Sequence, residues 1–365
     1  MSTETSQPAL TSTTANTPAN TTENRPVNTL ALSDFEQRRL LRIAFSGVAG
    51  FAICKIMGWP YGVFFAVFPM LLMGMVPVFN TMIAAQFLGG VVVSALEVWL
   101  LQTLLVPYPV LMLMVVAFFF GCHFRWMITT PYLLLWASSL VTTTTVLNLG
   151  SYQPESIHNM MIATALASII SVVAAALMFW LIPEPDSPGR PPEQHLSKAQ
   201  INHRMLMGAI LCTGSYVVFQ LFDLQDSLSA QVATVLVLFP MTLQGTLLSA
   251  WNRARGVLYG CAMAMLVQVL MYDLIDHLVL VVLAMFMTIL VAARLHLAER
   301  AGSATGFGAL TTIGILFGQY MQPGGDILYS SVYRVTSVIF ALVILMICAH
   351  LLDRLLNGFA ATRNE

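Results

Sequence analysis

Charge is scarce in this sequence. Only 33 of its 365 residues are Asp, Glu, Lys or Arg, 9% of the chain, where a soluble domain carries about 25%. The net charge is −1 and no basic tract is present, which excludes the electrostatic footprint of a nucleic-acid binder. The five cysteines (Cys54, Cys122, Cys212, Cys261, Cys348) include no CxxC pair and no metal spacing, and all fall in apolar segments, as buried small residues do. The histidines form no HExxH, the serines no GxSxG and the glycines no GxxxxGK(S/T), so nothing points to a metal, a cofactor or ATP hydrolysis. What the chain has in quantity is apolar: 58% of residues are hydrophobic and the mean hydropathy is +0.79. At ~20 residues per spanning helix there is room for roughly twelve spans, and none for a separate soluble domain of ~100 residues. The expectation is an all-α polytopic membrane protein.

Residues 1–30 are rich in Ser, Thr, Asn, Gln and Pro with no apolar run, so 1–35 reads as a disordered cytoplasmic tail with no signal peptide. Ser33-Asp34-Phe35-Glu36 has the spacing of a capping box at a helix start. Twelve apolar segments follow, near 40–57, 62–77, 80–105, 109–124, 129–148, 157–182, 204–222, 229–247, 254–272, 278–293, 302–321 and 327–352. A polar, proline-rich linker at 183–203 divides two membrane halves of six spans, 36–182 and 204–356, with 357–365 as a C-terminal tail.

The halves carry a repeat. Phe68-Pro69-Met70 recurs as Phe239-Pro240-Met241, and at the same offset of 171 Gly89 falls on Gly260, Glu97 on Gln268, His123 and Arg125 on Arg294 and His296, and Asn148 on Gln319. A constant offset over ~80 residues argues for duplication into parallel repeats. With the amino terminus inside, fourteen of sixteen Lys and Arg residues fall in cytoplasmic segments, Arg253, Arg255 and Arg300 among them. Glu155, Asp223, Asp226, Asp273, Asp276 and Asp326 then lie outside, and both termini are cytoplasmic.

Arg-flanked helices opening each half, a Pro-broken second span, Arg253-Ala-Arg255-Gly256 at the mouth of the third span of the second half, and a basic fourth-to-fifth loop together form a pattern over about residues 36–356. It resembles the fusaric-acid-resistance and aromatic-carboxylate exporters of bacterial inner membranes, most closely their short, DUF2955-like members. The resemblance implies proton-driven efflux of aromatic acids, with a periplasmic adaptor of the membrane-fusion class as partner. The wider group is similar to plant malate-conducting channels, in which two six-span subunits form an anion path; one duplicated chain would supply both sixes. The long cytosolic insert of larger members is missing, and with it any regulation assigned to that insert.

Charges inside spans are the first candidates for function, because each costs on the order of 3 kcal/mol unless paired, wet or neutralised. Glu97 and Arg334 lie about seven residues from the outer ends of spans three and twelve, at similar depth. They read either as proton carrier and carboxylate site or as a structural ion pair. Lys55, beside Gly58-Trp59-Pro60-Tyr61, reads as snorkelling to the interface. His123, Arg125, Arg294 and His296 are placed at the inner mouth, as orientation signal or as a basic vestibule that concentrates anions. In span five Ser138, Thr142, Thr145 and Asn148 share a helical face, and span eleven sets Gly302, Gly306, Gly314 and Gly318 in a ladder of fours with Gln319 beside it. Close packing explains both patterns; a polar path beside these two spans is the alternative. Pro69 and Pro240 are expected to kink the second span of each half, as static bends or as the broken helices at which transporters bind substrate.

The leading reading is a proton-coupled exporter of small aromatic or other organic carboxylates, with no catalytic residue. A passive organic-anion channel, a transporter of neutral or cationic solutes, a scaffold subunit of an efflux assembly and an intramembrane enzyme stay open. The sequence does not decide whether the chain forms a homo-oligomer.

Overall fold

In the computed structural model the described residues, 32–152, 156–183, 196–222, 228–299, 305–321 and 327–363, form twelve α-helices and no strand. The first six are α1 Asp34–Met57, α2 Gly62–Met75, α3 Thr81–Leu100, α4 Pro109–Thr129, α5 Leu133–Tyr152 and α6 Ile157–Leu181. The second six are α7 Lys198–Leu221, α8 Leu228–Val237, α9 Leu243–Leu270, α10 Leu278–Glu299, α11 Thr305–Tyr320 and α12 Ile327–Asn357. A π-helical turn, Leu101–Leu105, extends α3. Eight helices (α1, extended α3, α4, α5, α6, α7, α10 and α12) are long and apolar enough to cross a membrane, so this is a multi-pass membrane protein. Glu155, Asp223, Asp226, Asp326, Arg300, Gly302 and most of the linker and N-terminal tail lie outside the described residues.

Helix starts are chosen by side chains that satisfy free amides. Ser33 and Glu36 close the expected capping box on α1, and Ser197 with Gln200 closes a second one on α7. Asn80 accepts from the Ile83 amide at the start of α3, and Thr242 from the Gly245 amide at the start of α9.

The expected segment 229–247 is not one helix. α8 ends at Val237, Leu238, Phe239 and Met241 donate back three residues in 3₁₀ fashion, Met241 turns left-handed at φ 54°, and α9 begins at Leu243. Pro240 has no amide and a ring that would strike the carbonyl four residues back; that carbonyl, of Leu236, instead accepts from the Phe239 amide, and the helix ends. In α2 the same step is absorbed. Pro69 stays inside the helix, and the Phe65 carbonyl it leaves without a helical donor lies against Gly50 of α1, where any Cβ would collide with that oxygen. Thus Pro69 lies within a continuous helix, whereas Pro240 is not a mid-span kink but stands between two helices. The early start of α9 also carries Arg253 from the expected loop into the third turn of a helix, 4% exposed.

The helices pack in matching pairs. α1 lies on α10 and α4 on α7; α3 lies on α5 and α9 on α11; α2 packs on α11, and α8 on α5. Residues 139–148 of α5 and 305–318 of α11 are buried without interruption, so these two helices are enclosed on all sides. That explains why α11, with 16 residues, and α2, with 14, fall short of ~20: enclosed helices need not meet both lipid headgroup layers. Glycines set the closest crossings. Gly256 of α9 meets the Thr305 carbonyl and the Gly308 Cα of α11, and Gly90 of α3 meets the Leu135 carbonyl and Ser138 of α5. Gly306, Gly314 and Gly318 each face a neighbouring helix within contact distance, so the described part of the ladder serves packing. Cys54, Cys212 and Cys261 are buried as expected, but Cys348 is exposed on α12.

Candidate functional site

The short connection between α1 and α2, the end of α11 and the first two turns of α12 meet around a cavity of about 610 Å³. It lies at the face expected to be outer. Two cations line it: Lys55, from the last turn of α1, and Arg334, 5% exposed on α12. The rest of the wall is largely aromatic, with Trp59, Tyr61, Tyr320, Tyr329 and Tyr333, and Gln319 and Ser229 add neutral polar groups. The rings of Tyr329 and Tyr333, one helical turn apart, are near parallel with centroids 6.5 Å apart. No carboxylate is among its described lining residues. Gly62 and Gly318 close the floor by bringing α2 and α11 together: a Cβ on Gly62 would stand 2.6 Å from the Gly318 carbonyl oxygen.

This cavity unites Arg334 and Gln319 with Lys55, which is a wall residue here and not only an interfacial anchor. The tyrosines of α12 and Tyr320 were not singled out in the sequence. Their signal was present as Tyr329, Tyr333 and Arg334 on one turn-spaced stretch next to the buried cation.

Glu97 is elsewhere. Its carboxylate accepts from Thr143 Oγ1 at 2.8 Å and stands 3.5 Å from His123 Nε2. The ring of His123 is fully buried; Nδ1 donates to the Phe119 carbonyl at 2.7 Å, and Nε2 lies 3.0 Å from Ser139 Oγ. The depth match of Glu97 with Arg334 is therefore not a contact: Glu97 is held by α4 and α5 of its own half, and Arg334 faces α9, α11 and the cavity. Three helices build the cluster because Ser139 and Thr143, one turn apart on α5, face α3 and α4 together. The face of α5 expected to be polar, with Thr142 and Thr145, is the other one.

With Nδ1 committed to a carbonyl, Nε2 has two uses. In the neutral ring it accepts from Ser139; in the imidazolium it donates toward Glu97. The cluster can hold a proton on either the carboxylate or the ring. It cannot act as a nucleophile triad, which needs the hydroxyl and the carboxylate on opposite ring nitrogens.

His123 is thus an interior residue and not part of an inner vestibule, while Arg125, two positions on, is exposed. Arg294 is likewise exposed and His296 buried; His296 Nε2 and Arg39 Nη2 both bond the Gly74 carbonyl at the end of α2, at 3.1 and 2.7 Å. The four expected vestibule residues are not brought together. Thr142 and Thr145 are buried against α2 and α8, and Asn148 is fully buried, its Oδ1 accepting from Gln220 of α7 at 2.9 Å.

Residues 39–178 match the family model described as protein of unknown function DUF2955, and residues 213–348 match the one described as fusaric acid resistance protein-like. No individual curated protein and no solved structure matches the chain.

Proposed function

This chain belongs to the fusaric-acid-resistance-like membrane proteins, and from that premise we propose a secondary transporter that exports small aromatic or other organic carboxylates, driven by protons. The observation that carries this reading is the cavity holding Arg334 and Lys55 among five aromatic side chains. Arg334 is charged at any accessible pH, and in a low-dielectric wall an anion at its head gains a charge-assisted hydrogen bond that a neutral analogue lacks. Tyrosine and tryptophan faces supply stacking area for a ring. The volume falls in the ~300–1,000 Å³ range of small-molecule sites.

Glu97 and His123 supply the coupling proton in this reading. His123 is buried and Glu97 largely so, and the two share one site in which a proton can pass without rearranging the backbone. The matching helix pairs and the paired capping boxes support two parallel six-helix repeats, 36–182 and 204–356; the distribution of Lys and Arg supports a cytoplasmic linker and cytoplasmic termini, and the family resemblance a bacterial inner membrane. The family resemblance adds a periplasmic adaptor as partner, and a transport role rather than an enzymatic one.

Binding of 4-hydroxybenzoate to the purified protein, followed by calorimetry, tests the site. Saturable binding to the wild type that weakens by about 30-fold in Arg334→Gln is the expected result. Equal binding of the neutral 4-hydroxybenzamide, or unchanged binding in Arg334→Gln, would overturn it.

A further inference from the structure

The cavity does not end at its floor. A space of about 40 Å³ shares Val63 and Ser229 with it, and a second of about 30 Å³ shares Phe68, Leu71, Val141 and Leu236 with the first. Their walls follow α2 from Val63 in its first turn to Met75 at its end, and α8 from Ser229 to Phe239 just beyond it. The three spaces therefore form one file between the halves of the molecule. Each small space holds only a few waters, at ~10–15 Å³ per water, so an aromatic ring does not pass. One side of the file is apolar, with Phe64, Phe68, Leu236 and Phe239; the other carries Thr142, Thr145 and Thr311 of α5 and α11. Ser138, Thr145 and Thr311 spend their hydroxyl protons on carbonyls of their own helices, and no charged side chain is among the described residues lining the two small spaces.

The two Phe-Pro-Met motifs meet here. Phe68 lines both small spaces and Phe239, from the other half, lines the second with it. We propose that Phe68 and Phe239, brought together by the duplicated motif, form an apolar gate on a translocation path that runs from the cationic cavity along α2 and α8 between α5 and α11. This rests on the transporter reading above. An apolar constriction of this width excludes water and ions while closed, as dewetting gates do. The prolines give the two sides different freedom. Phe68 sits in a helix locked where Gly50 covers the Phe65 carbonyl, whereas Phe239 sits in a non-helical step between α8 and α9, ahead of Met241 at positive φ. Phe239 is the side that moves.

Proteoliposomes with an imposed benzoate gradient and no proton gradient test the gate. Phe68→Ala and Phe239→Ala should each raise downhill benzoate flux at least tenfold over wild type, and Phe239→Leu should stay near wild type. Should an alanine variant fail to fold, a variant with its five native cysteines replaced and Phe68→Cys with Phe239→Cys keeps the test: a short bifunctional thiol reagent should link the two and block export. Wild-type export by the linked protein, or alanine variants that fold and do not leak, would overturn the gate. Glycerol flux separates this from the substrate reading. Leakage of glycerol but not benzoate through the alanine variants would uphold the gate while removing the anion site.

Discussion

The two halves of the molecule pack alike and are charged differently. In the first, the enclosed charges are a carboxylate, Glu97, joined to His123 and two hydroxyls, and Arg42 of α1, 1% exposed with its guanidinium over the Phe179 ring. In the second, α9 and α12 bury two arginines, Arg253 and Arg334, and no acidic side chain pairs with either among the described residues. At the repeat offset of 171, Glu97 falls on Gln268, Arg334 on Ala163 and Arg253 on Met82, so each charge faces a neutral residue in the other half. Close helix crossings depend on small residues and tolerate little change. Polar residues facing a cavity are constrained only by what they bind. The shared helix packing therefore carries a largely buried carboxylate, Glu97, where the other half has Gln268.

The scaffold side of the comparison gives the largest effect. Any Cβ on Gly256 runs into the Thr305 carbonyl and stands 2.7 Å from the Gly308 Cα, backbone that cannot step aside. Gly256→Ala should cost more than about 3 kcal/mol and remove most folded protein, as judged by monodisperse yield in detergent. Gly121→Ala, whose new methyl would meet only the Ala209 Cβ at 3.8 Å, should stay within about 0.5 kcal/mol. Gly90→Ala probes the corresponding crossing of the first half and should resemble Gly256→Ala. If it behaves like Gly121→Ala, the halves do not share their packing constraint.

Next comes the division of charge. Arg334→Gln should weaken 4-hydroxybenzoate binding by about 30-fold, ~2 kcal/mol, the worth of one hydrogen bond to a charged group. Glu97→Gln should leave that affinity within about twofold and abolish export against a gradient. Because the two residues have separate partners, the double variant should show both defects, with binding energies additive to ~0.5 kcal/mol. Recovery of folding or export in the double variant would mean that the two charges hold each other in some state of the cycle.

Composition alone made the all-helical membrane class legible, since 9% charge permits little else, and the Ser33 capping box and most helix positions followed from hydropathy. What stayed hidden was three-dimensional. Glu97 and Arg334 sit at matching depth, but depth fixes one coordinate of three, and the partner of Glu97 came from His123, which the positive-inside pattern had drawn toward the mouth together with its exposed neighbour Arg125. Pro240 looked like Pro69 because the three-residue motif is the same. Pro69 stays inside α2 with Gly50, 15 residues away in sequence, against its freed carbonyl, whereas before Pro240 the Leu236 carbonyl takes the Phe239 amide and α8 ends. Misplacing the end of α8 also left Arg253 in a loop. The cavity wall escaped notice because its aromatic residues come from three separate chain segments, each of which alone reads as an interfacial belt.

The smallest expected effect sharpens the comparison at its rim. Lys55 lines the same cavity as Arg334 but is half-buried at the end of α1, with its ammonium 5.7 Å from the Phe51 ring centroid. A cation in contact with water gains little from a single ion pair, typically 0–1 kcal/mol, so its part is to raise the local anion concentration rather than to grip. Lys55→Gln should weaken 4-hydroxybenzoate binding less than about threefold at low ionic strength. The difference should vanish near 1 M salt, where screening acts within ~3 Å, while the Arg334→Gln defect persists because that guanidinium is enclosed by protein. Stopped-flow binding should place the Lys55 effect in the association rate and the Arg334 effect in dissociation. A Lys55→Gln defect as large and as salt-resistant as that of Arg334→Gln would make the two cations a single anion clamp and move the binding site out of the second half, onto the seam between α1 and α12.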